Sequence, residues 1–184
     1  WEEAEAVGDS RFPHEYFYDL ILHSNLEYSA PPEESWLVAA ADANLPIFTP
    51  GWEDSTIGNL LSAKVLDCTL KSNSVVRGGL DAMQSLADWY REDDSPTGIL
   101  QVGGGISGDF AISVVPMLIQ DAGIRVPLWS WFAQISESRP SYGGYSGAPP
   151  NEKISWGKLS VDTPQFVIES DASIVLPLLL SSLE

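Results

Sequence analysis

The sequence predicts an α/β domain built on a mainly parallel sheet. Segments with a helical period alternate with short apolar runs, and those runs end in glycine or proline. The length of 184 residues fits one domain of ordinary size. A hydrophobic content of 44% is enough to bury a continuous core. We therefore expect a compact fold over residues 1–184.

The first third of the chain predicts helices over residues 13–24 and 34–44, because both have helical composition and spacing. Residues 46–49 are short and apolar, which is typical of a buried strand. A third helix is expected to begin near Ser55 or Thr56, since a hydroxyl side chain is a favoured N-cap. These segments together predict a strand–loop–helix unit.

An amphipathic helix follows and is expected to end at the charged run 91–94. Its predicted core stripe consists of apolar residues three or four positions apart: Val76, Leu80, Met83, Ala87 and Tyr90. Next come a strand over residues 98–102, a glycine triplet, and a helix over residues 108–121 that Pro116 should kink.

The last third predicts two strands and one helix. A strand is expected within residues 128–135 and another over residues 166–168. Between them, residues 136–151 are rich in Gly, Pro, Ser and Tyr and predict a long loop, and ordered loops of that length are usually functional. A strongly apolar helix is expected over residues 172–183, buried against the sheet or a second chain.

The charge of the chain argues against two classes of partner. Acidic residues number 26 against nine basic ones, for a formal net charge of -17. Such a surface repels phosphate backbones and anionic lipids, so we expect neither nucleic acid nor membrane as a partner. Residues 174–180 form the longest apolar run near the C-terminus, far short of a spanning helix. The same charge attracts cations such as oligoamines, although an acidic surface more often reflects plain solubility or adaptation to salt.

Cysteine usage and the first residue bear on where the protein works. Cys68 is the one cysteine, which excludes an internal disulfide and favours a reduced, cytoplasmic compartment. Residue 1 is a tryptophan followed by acidic residues, without a signal pattern. We expect the chain to begin inside a longer reading frame.

Three segments carry candidate chemistry. The triplet at residues 103–105 follows a strand and precedes a helix, so its backbone N–H groups suit a phosphate or a flat ring; a tight turn is the alternative. Residues 52–56 place two carboxylates after a strand, although spacing alone favours Asp54 or Ser55 as a helix cap.

Lys158 is the third candidate. It stands two residues beyond Trp156, in a chain with four lysines, and Glu152 lies upstream. An amine in an apolar pocket loses the solvation of its charged form, and its free base can attack an imine or carbonyl carbon. A solvated lysine beside a core tryptophan is the alternative, and spacing alone favours it.

Four separated segments together resemble the deoxyhypusine synthase family, in the same order and with matching spacing. They are residues 46–59 (PIFTPGWEDSTIGN), 103–109 (GGGISGD), 146–158 (SGAPPNEKISWGK) and 170–173 (SDAS). The resemblance covers nearly the whole chain and is strongest for the bacterial and archaeal deoxyhypusine synthase-like branch. It implies a Rossmann-like, mainly parallel sheet with helices on both faces, from which the N-terminal half of the family domain is missing.

The resemblance also implies a reaction. In the family, NAD oxidises spermidine beside a nitrogen, a lysine captures the butylamine fragment as an imine, and the fragment passes to an acceptor amine. Lys158 matches that lysine. Glu152 and Asp54 match carboxylates that hold the ammonium groups of the polyamine, and Trp156 matches the tryptophan that walls its slot. The residues at or beside family positions that line the dinucleotide are Gly104, Gly105, Asp109, Ser146, Asp171 and Ala172.

This chain departs from the family in ways that affect the expected chemistry. The eukaryotic pattern has paired histidines after the glycines, one of them a proton acceptor, where this chain has Asp109 and Phe110. Two substrate-site aspartates of the family fall on Asn59 and Tyr145, so the slot is less acidic and a different amine is expected to fit.

Two functions therefore remain open. The first is aminobutyl transfer to a small polyamine or to a protein lysine, without a metal. The second is a non-catalytic NAD-binding subunit that stabilises or activates a paired chain. Family sites lie between subunits, so we expect a homo- or hetero-oligomer, with a tetramer as the family expectation, in which another chain supplies the N-terminal half.

Overall fold

The computed structural model describes residues 1–92, 94–137 and 149–183. They form two compact units, Trp1–Ala82 and Met83–Glu184. Whether the two belong to one family domain stays a prediction. The α/β class is confirmed, because a three-stranded parallel sheet lies among helices in the second unit. Among the described residues, no helix is long and apolar enough to cross a bilayer.

The first unit consists of helices and turns. Its helices are α1 (Glu2–Val7), α2 (Pro13–His23), α3 (Trp36–Asp42) and α4 (Thr56–Leu66). Helix α5 (Gly79–Arg91) begins in the last residues of the first unit and continues into the second. Short 3-10 turns lie at Pro32–Glu34 and Asn73–Val75. Ser55 caps α4 as predicted, because its Oγ accepts the Gly58 N–H at 3.1 Å. The predicted 34–44 helix begins two residues late, after Ser35 caps it through the Val38 N–H.

The predicted strand over residues 46–49 is wrong. These residues have no regular structure, and Pro46 is exposed. Pro46 and Pro50 lack the N–H that a sheet ladder needs. Tyr18 instead ties the segment down by donating its hydroxyl to the Leu45 carbonyl at 2.8 Å, and Ile47 packs on the cluster around Tyr18. Packing on α2 and α3 therefore holds the segment without a strand partner.

The predicted stripe on α5 is wrong at two positions. Val76 precedes the helix, and Leu80 is 83% exposed. Ala87 and Tyr90 are buried as predicted, together with Ala82 and Leu86. Ala82, Leu86 and Tyr90 are four residues apart and share one face of the helix. Leu80 lies two residues before Ala82, and two residues are roughly 200° apart around a helix, so Leu80 faces away.

The second unit contains the sheet. Its elements are β1 (Ile99–Val102), α6 (Ile106–Ile112), α7 (Val114–Pro116) with a π-helical turn (Met117–Asp121), β2 (Phe132–Ile135), α8 (Pro150–Ser155), β3 (Gln165–Ile168) and α9 (Ala172–Ser181). β2 lies between β1 and β3, and both pairings are parallel. Ile99 is in register with Phe132, and Phe132 with Gln165. The three strands therefore end at one edge of the sheet.

The predicted helix over residues 108–121 begins earlier, at Ile106, and breaks at Ser113. Pro116, three residues further on in α7, accounts for the break, because it has no N–H to give to the Ile112 carbonyl four residues before it. The indole N–H of Trp129 donates to that carbonyl at 3.2 Å in a buried contact. A side chain thus replaces the missing helical hydrogen bond.

The apolar helix α9 does not bury its face in this chain. None of its residues is buried, and Ile174 and Leu178 are 61% and 67% exposed. Helix α9 does contact β2 of the sheet, but the burial predicted for it is not reached within this chain. The contact with β2 leaves most of this helix exposed, because its apolar residues lie all round it. Whether a second chain covers α9 stays a prediction.

Tyr90 generates a prediction about stability. Its hydroxyl donates to the Pro127 carbonyl at 2.9 Å, and burial raises the pKa of Tyr90 to about 12. Because the folded pKa exceeds the unfolded value, the stabilisation is complete below about pH 10 and is lost as the pH rises towards 12. Tyr90→Phe should lower the unfolding free energy by about 1 kcal/mol at pH 8 and reduce its decline above pH 10. Denaturant titrations at pH 8 and 11 measure both effects.

The exposed Tyr28 provides the matched control, Tyr28→Phe. That variant should follow the wild type at both pH values. Equal alkaline declines for Tyr90→Phe and the wild type would contradict the assignment.

Candidate functional site

Lys158 is positioned by the end of helix α8. Gly157 takes a left-handed φ of 70°, which favours glycine, and the Lys158 N–H donates to the Lys153 carbonyl at 3.0 Å. This turn reverses the chain and carries the Lys158 side chain inward, where it is 14% exposed. The structure thus does not show the solvated lysine that spacing alone favoured.

Asp109 faces Lys158. It lies in the first turn of α6, and its Oδ1 is 3.7 Å from the Lys158 Nζ. The Asp109 side chain is 47% exposed, so the ion pair joins a mostly buried lysine to a carboxylate that is open to solvent. The prediction that Asp109 lines a dinucleotide remains a prediction.

Lys153 is a site residue that the sequence analysis missed. It is 6% exposed, and its Nζ lies 4.9 Å from the centre of the Phe132 ring, within cation–π range. Burial lowers the pKa of Lys153, and the charge of Lys158 lowers it further, while Asp109 and Glu152 oppose the change. Lysines are rarely buried, so composition and spacing gave no signal for this one.

The glycine triplet forms an open loop at the carboxyl end of β1. Gly103 and Gly105 have φ values of 79° and 84°. The side-chain amides of Gln101 and Gln134 donate to the Gly103 carbonyl at 3.2 and 3.0 Å and fix the turn. Sequence analysis missed both glutamines, because their shared acceptor appears only once β1 and β2 pair.

The open loop fits the dinucleotide that the resemblance implies. A Cβ added at Gly103 or Gly105 would meet no atom within 4 Å, so the backbone there is bare and approachable. The loop also lies at the carboxyl edge of a parallel sheet, where α/β proteins bind ligands. Gly104, between them, is exposed.

Glu152 and Trp156 belong to the same segment as Lys158. Glu152 lies in the first turn of α8 and is exposed. Trp156 is 60% exposed, and its carbonyl accepts the Gln120 side-chain amide at 3.1 Å. The backbone at Trp156 is therefore fixed while its indole stays open to a ligand.

Asp54 and Asn59 belong to the first unit. Both are exposed, and Asp54 ends a turn in which its N–H donates to the Gly51 carbonyl at 3.1 Å. Asp54 immediately precedes the cap residue Ser55, so its carboxylate is left available. Within the second unit the structure brings Asp109 to Lys158, whereas Glu152 and Trp156 are neighbours of Lys158 in the same segment of chain.

The remaining predicted residues lie near the end of β3 or outside the description. The Asp171 carboxylate accepts the Ser173 hydroxyl at 2.6 Å and caps α9 by accepting the Ser173 N–H at 2.8 Å, and these two hydrogen bonds lower the pKa of Asp171. Ala172 is the first residue of that helix. Tyr145 and Ser146 lie outside the described residues.

Comparison with known protein families gives one match over most of the chain. The family described as deoxyhypusine synthase matches residues 15–183. This range contains both units except for the first residues of α2 and the segment before it.

Curated relatives agree with the family match. A deoxyhypusine synthase-like protein of Cyanothece sp. is 33% identical over 154 residues, which cover 79% of this chain and 38% of the relative. A probable deoxyhypusine synthase 2 of Methanosarcina mazei is 28% identical over 183 residues, which cover 98% of this chain and 50% of the relative. The chain thus spans about half the length, or less, of these two relatives.

Lys153 generates a prediction about pH. Its folded pKa lies below the ordinary value of 10.5, so between the two values the unfolded chain holds a proton that the folded chain has lost. Stability from this group therefore rises with pH through that window, by about 1.4 kcal/mol for each unit of pKa difference. Lys153→Met should remove this rise, and denaturant titrations from pH 7 to 10.5 measure it.

The exposed Lys71 supplies the control, Lys71→Met. Its unfolding free energy should parallel that of the wild type across the range. A Lys153→Met curve that also runs parallel would mean that Lys153 is not buried in solution.

Proposed function

Because the chain belongs to the deoxyhypusine synthase family, we propose that it takes part in NAD-dependent aminobutyl transfer from spermidine or a related polyamine to an acceptor amine. Lys158 carries the fragment as an imine in this proposal. The observation that supports it most is the inward-facing Lys158, held beside a carboxylate within a segment that matches the family.

The proposed reaction forms and then breaks an imine at Lys158. The chemistry that bound NAD supplies is acceptance of a hydride from the carbon beside a polyamine nitrogen, and its later return. The Lys158 amine adds to the resulting imine carbon, and the propylamine part of spermidine leaves as a diamine. An acceptor amine then displaces Lys158 by the same exchange. The acceptor is a small polyamine or a protein lysine.

Recognition of the polyamine rests on charge and on an aromatic face. Glu152 and Asp54 are exposed carboxylates that bind ammonium groups through charge-assisted hydrogen bonds. The open Trp156 indole offers a cation–π surface. The net charge of -17 draws polycations towards the protein.

A non-catalytic subunit is the second candidate. The apolar face of α9 is exposed, and this observation favours a partner chain that covers it. We propose a homo- or hetero-oligomer, with a tetramer as the family expectation.

The first prediction here concerns the imine. With NAD, spermidine and the N-terminal half of the Methanosarcina mazei relative present, borohydride should fix a butylamine mass on Lys158, because the reduced imine is stable to peptide mapping. Lys158→Arg should abolish the label, since a guanidinium stays protonated and forms no imine. Lys71→Arg, at an exposed lysine, should label as the wild type does. Label confined to other lysines would remove Lys158 from the reaction.

The second prediction separates catalysis from a supporting role. The chain should form NADH from spermidine only after mixing with the N-terminal half of the Methanosarcina mazei relative, with light scattering showing the complex. Lys158→Arg should abolish this activity if the chain is catalytic. The supporting role is correct if the Lys158→Arg chain, added to the full-length relative, raises the activity of that relative as much as the wild-type chain does. An active species of 20.0 kDa would contradict the need for a partner.

A further inference from the structure

The contact between Asp109 and Lys158 joins two residues from separate elements. The Asp109 Oδ1 and the Lys158 Nζ are 3.7 Å apart, and the lysine side chain is 14% exposed. At this distance, and with the Asp109 carboxylate half-exposed to water, the pair contributes little to stability. The feature of interest is that a carboxylate reaches the one atom of Lys158 that reacts in the proposed function.

The backbone on both sides fixes this contact. Asp109 follows the glycine loop, and Gly108 lies so close to Gln101 that a Cβ there would approach its side chain to 2.7 Å. Gln101 in turn holds the Gly103 carbonyl. The first turn of α6 is therefore packed onto β1. On the other side, the turn at Gly157 directs Lys158 inward.

Imine exchange at a lysine requires a proton to move between two nitrogens. When the Lys158 amine adds to an imine carbon, its nitrogen gains a positive charge, and the leaving nitrogen must gain a proton before its bond to carbon breaks. We propose that Asp109 carries this proton. Its carboxylate takes the proton from the Lys158 nitrogen and gives it to the leaving amine, so Asp109 ends the step ionised as it began. This proposal rests on the proposed function.

The surrounding charges suit this role. Lys153, buried over Phe132, repels a second positive charge on Lys158, and Glu152 and Asp109 supply the negative charges on the same side. Asp109 is 47% exposed, so its carboxylate reaches both the buried Lys158 and an amine arriving from solvent. A proton carrier needs access to both.

A reaction without cofactor or partner isolates the step. Butanal condenses with an amine, losing water, and passes through the same kind of proton transfer; borohydride quenching then fixes the imine for peptide mapping. Asp109→Asn should slow labelling of Lys158 by about 100-fold, the lower end of the range for a lost general acid–base. Asp88→Asn is the matched control, because it removes a carboxylate from an exposed ion pair of 3.5 Å. That control should label at the wild-type rate.

Chemical rescue separates proton transfer from positioning. The space that Asp109→Ala leaves is half-exposed, so added formate should restore much of its rate without changing its melting temperature. Wild-type labelling in Asp109→Asn, or slow labelling that formate does not restore, would overturn the role of Asp109.

The same variants distinguish this failure from a failure of the proposed function. With NAD, spermidine and the N-terminal partner half, wild-type labelling combined with a normal Asp109→Asn rate would overturn only the role of Asp109. Absence of wild-type labelling there, with the butanal difference intact, would overturn aminobutyl transfer and leave the proton step at Lys158 supported.

Discussion

The parallel pairing of β1, β2 and β3 is the constraint on which the second unit depends. β2 is the middle strand, and its Phe132 and Ile135 are completely buried. Parallel pairing brings the carboxyl ends of all three strands to one edge, where the Gly103 N–H donates to the Ile135 carbonyl at 2.7 Å. Without that pairing, the glycine loop would have no second strand to close against. The position of Asp109 follows from the loop.

Much of the second unit could be predicted from the sequence, because its signals are local. The glycine triplet, Pro116 and the apolar runs mark the strand–loop–helix order directly. The segment at residues 46–49 was mistaken for a strand because its apolar composition is real, whereas its packing partner, Tyr18, is distant in sequence. Tertiary contacts decide such short apolar runs.

The candidate site likewise contains residues with a local sequence signal and residues that only tertiary contacts bring into it. Lys158, Glu152 and Trp156 were predicted because their segment resembles a family as a whole. The burial of Lys153 depends on the face of α8 that meets Phe132, and the contact of Asp109 with Lys158 depends on a turn at Gly157. Neither has a signature in spacing, because 49 residues of chain separate Asp109 from Lys158.

The contacts of Trp129 limit which residues could replace it. Its indole N–H takes the Ile112 carbonyl, its ring meets Tyr90 edge-on with centroids 4.7 Å apart, and its own carbonyl accepts the Thr163 hydroxyl. A replacement must supply a donor at the helix break and an aromatic face for Tyr90 at once, whereas the contact with Thr163 is to the main chain and any residue keeps it. Phenylalanine lacks the donor, and histidine lacks the breadth of the ring. A change at Trp129 therefore leaves the Ile112 carbonyl without this donor unless Pro116 changes too, since a residue with an N–H at position 116 would let the helix recover its own hydrogen bond.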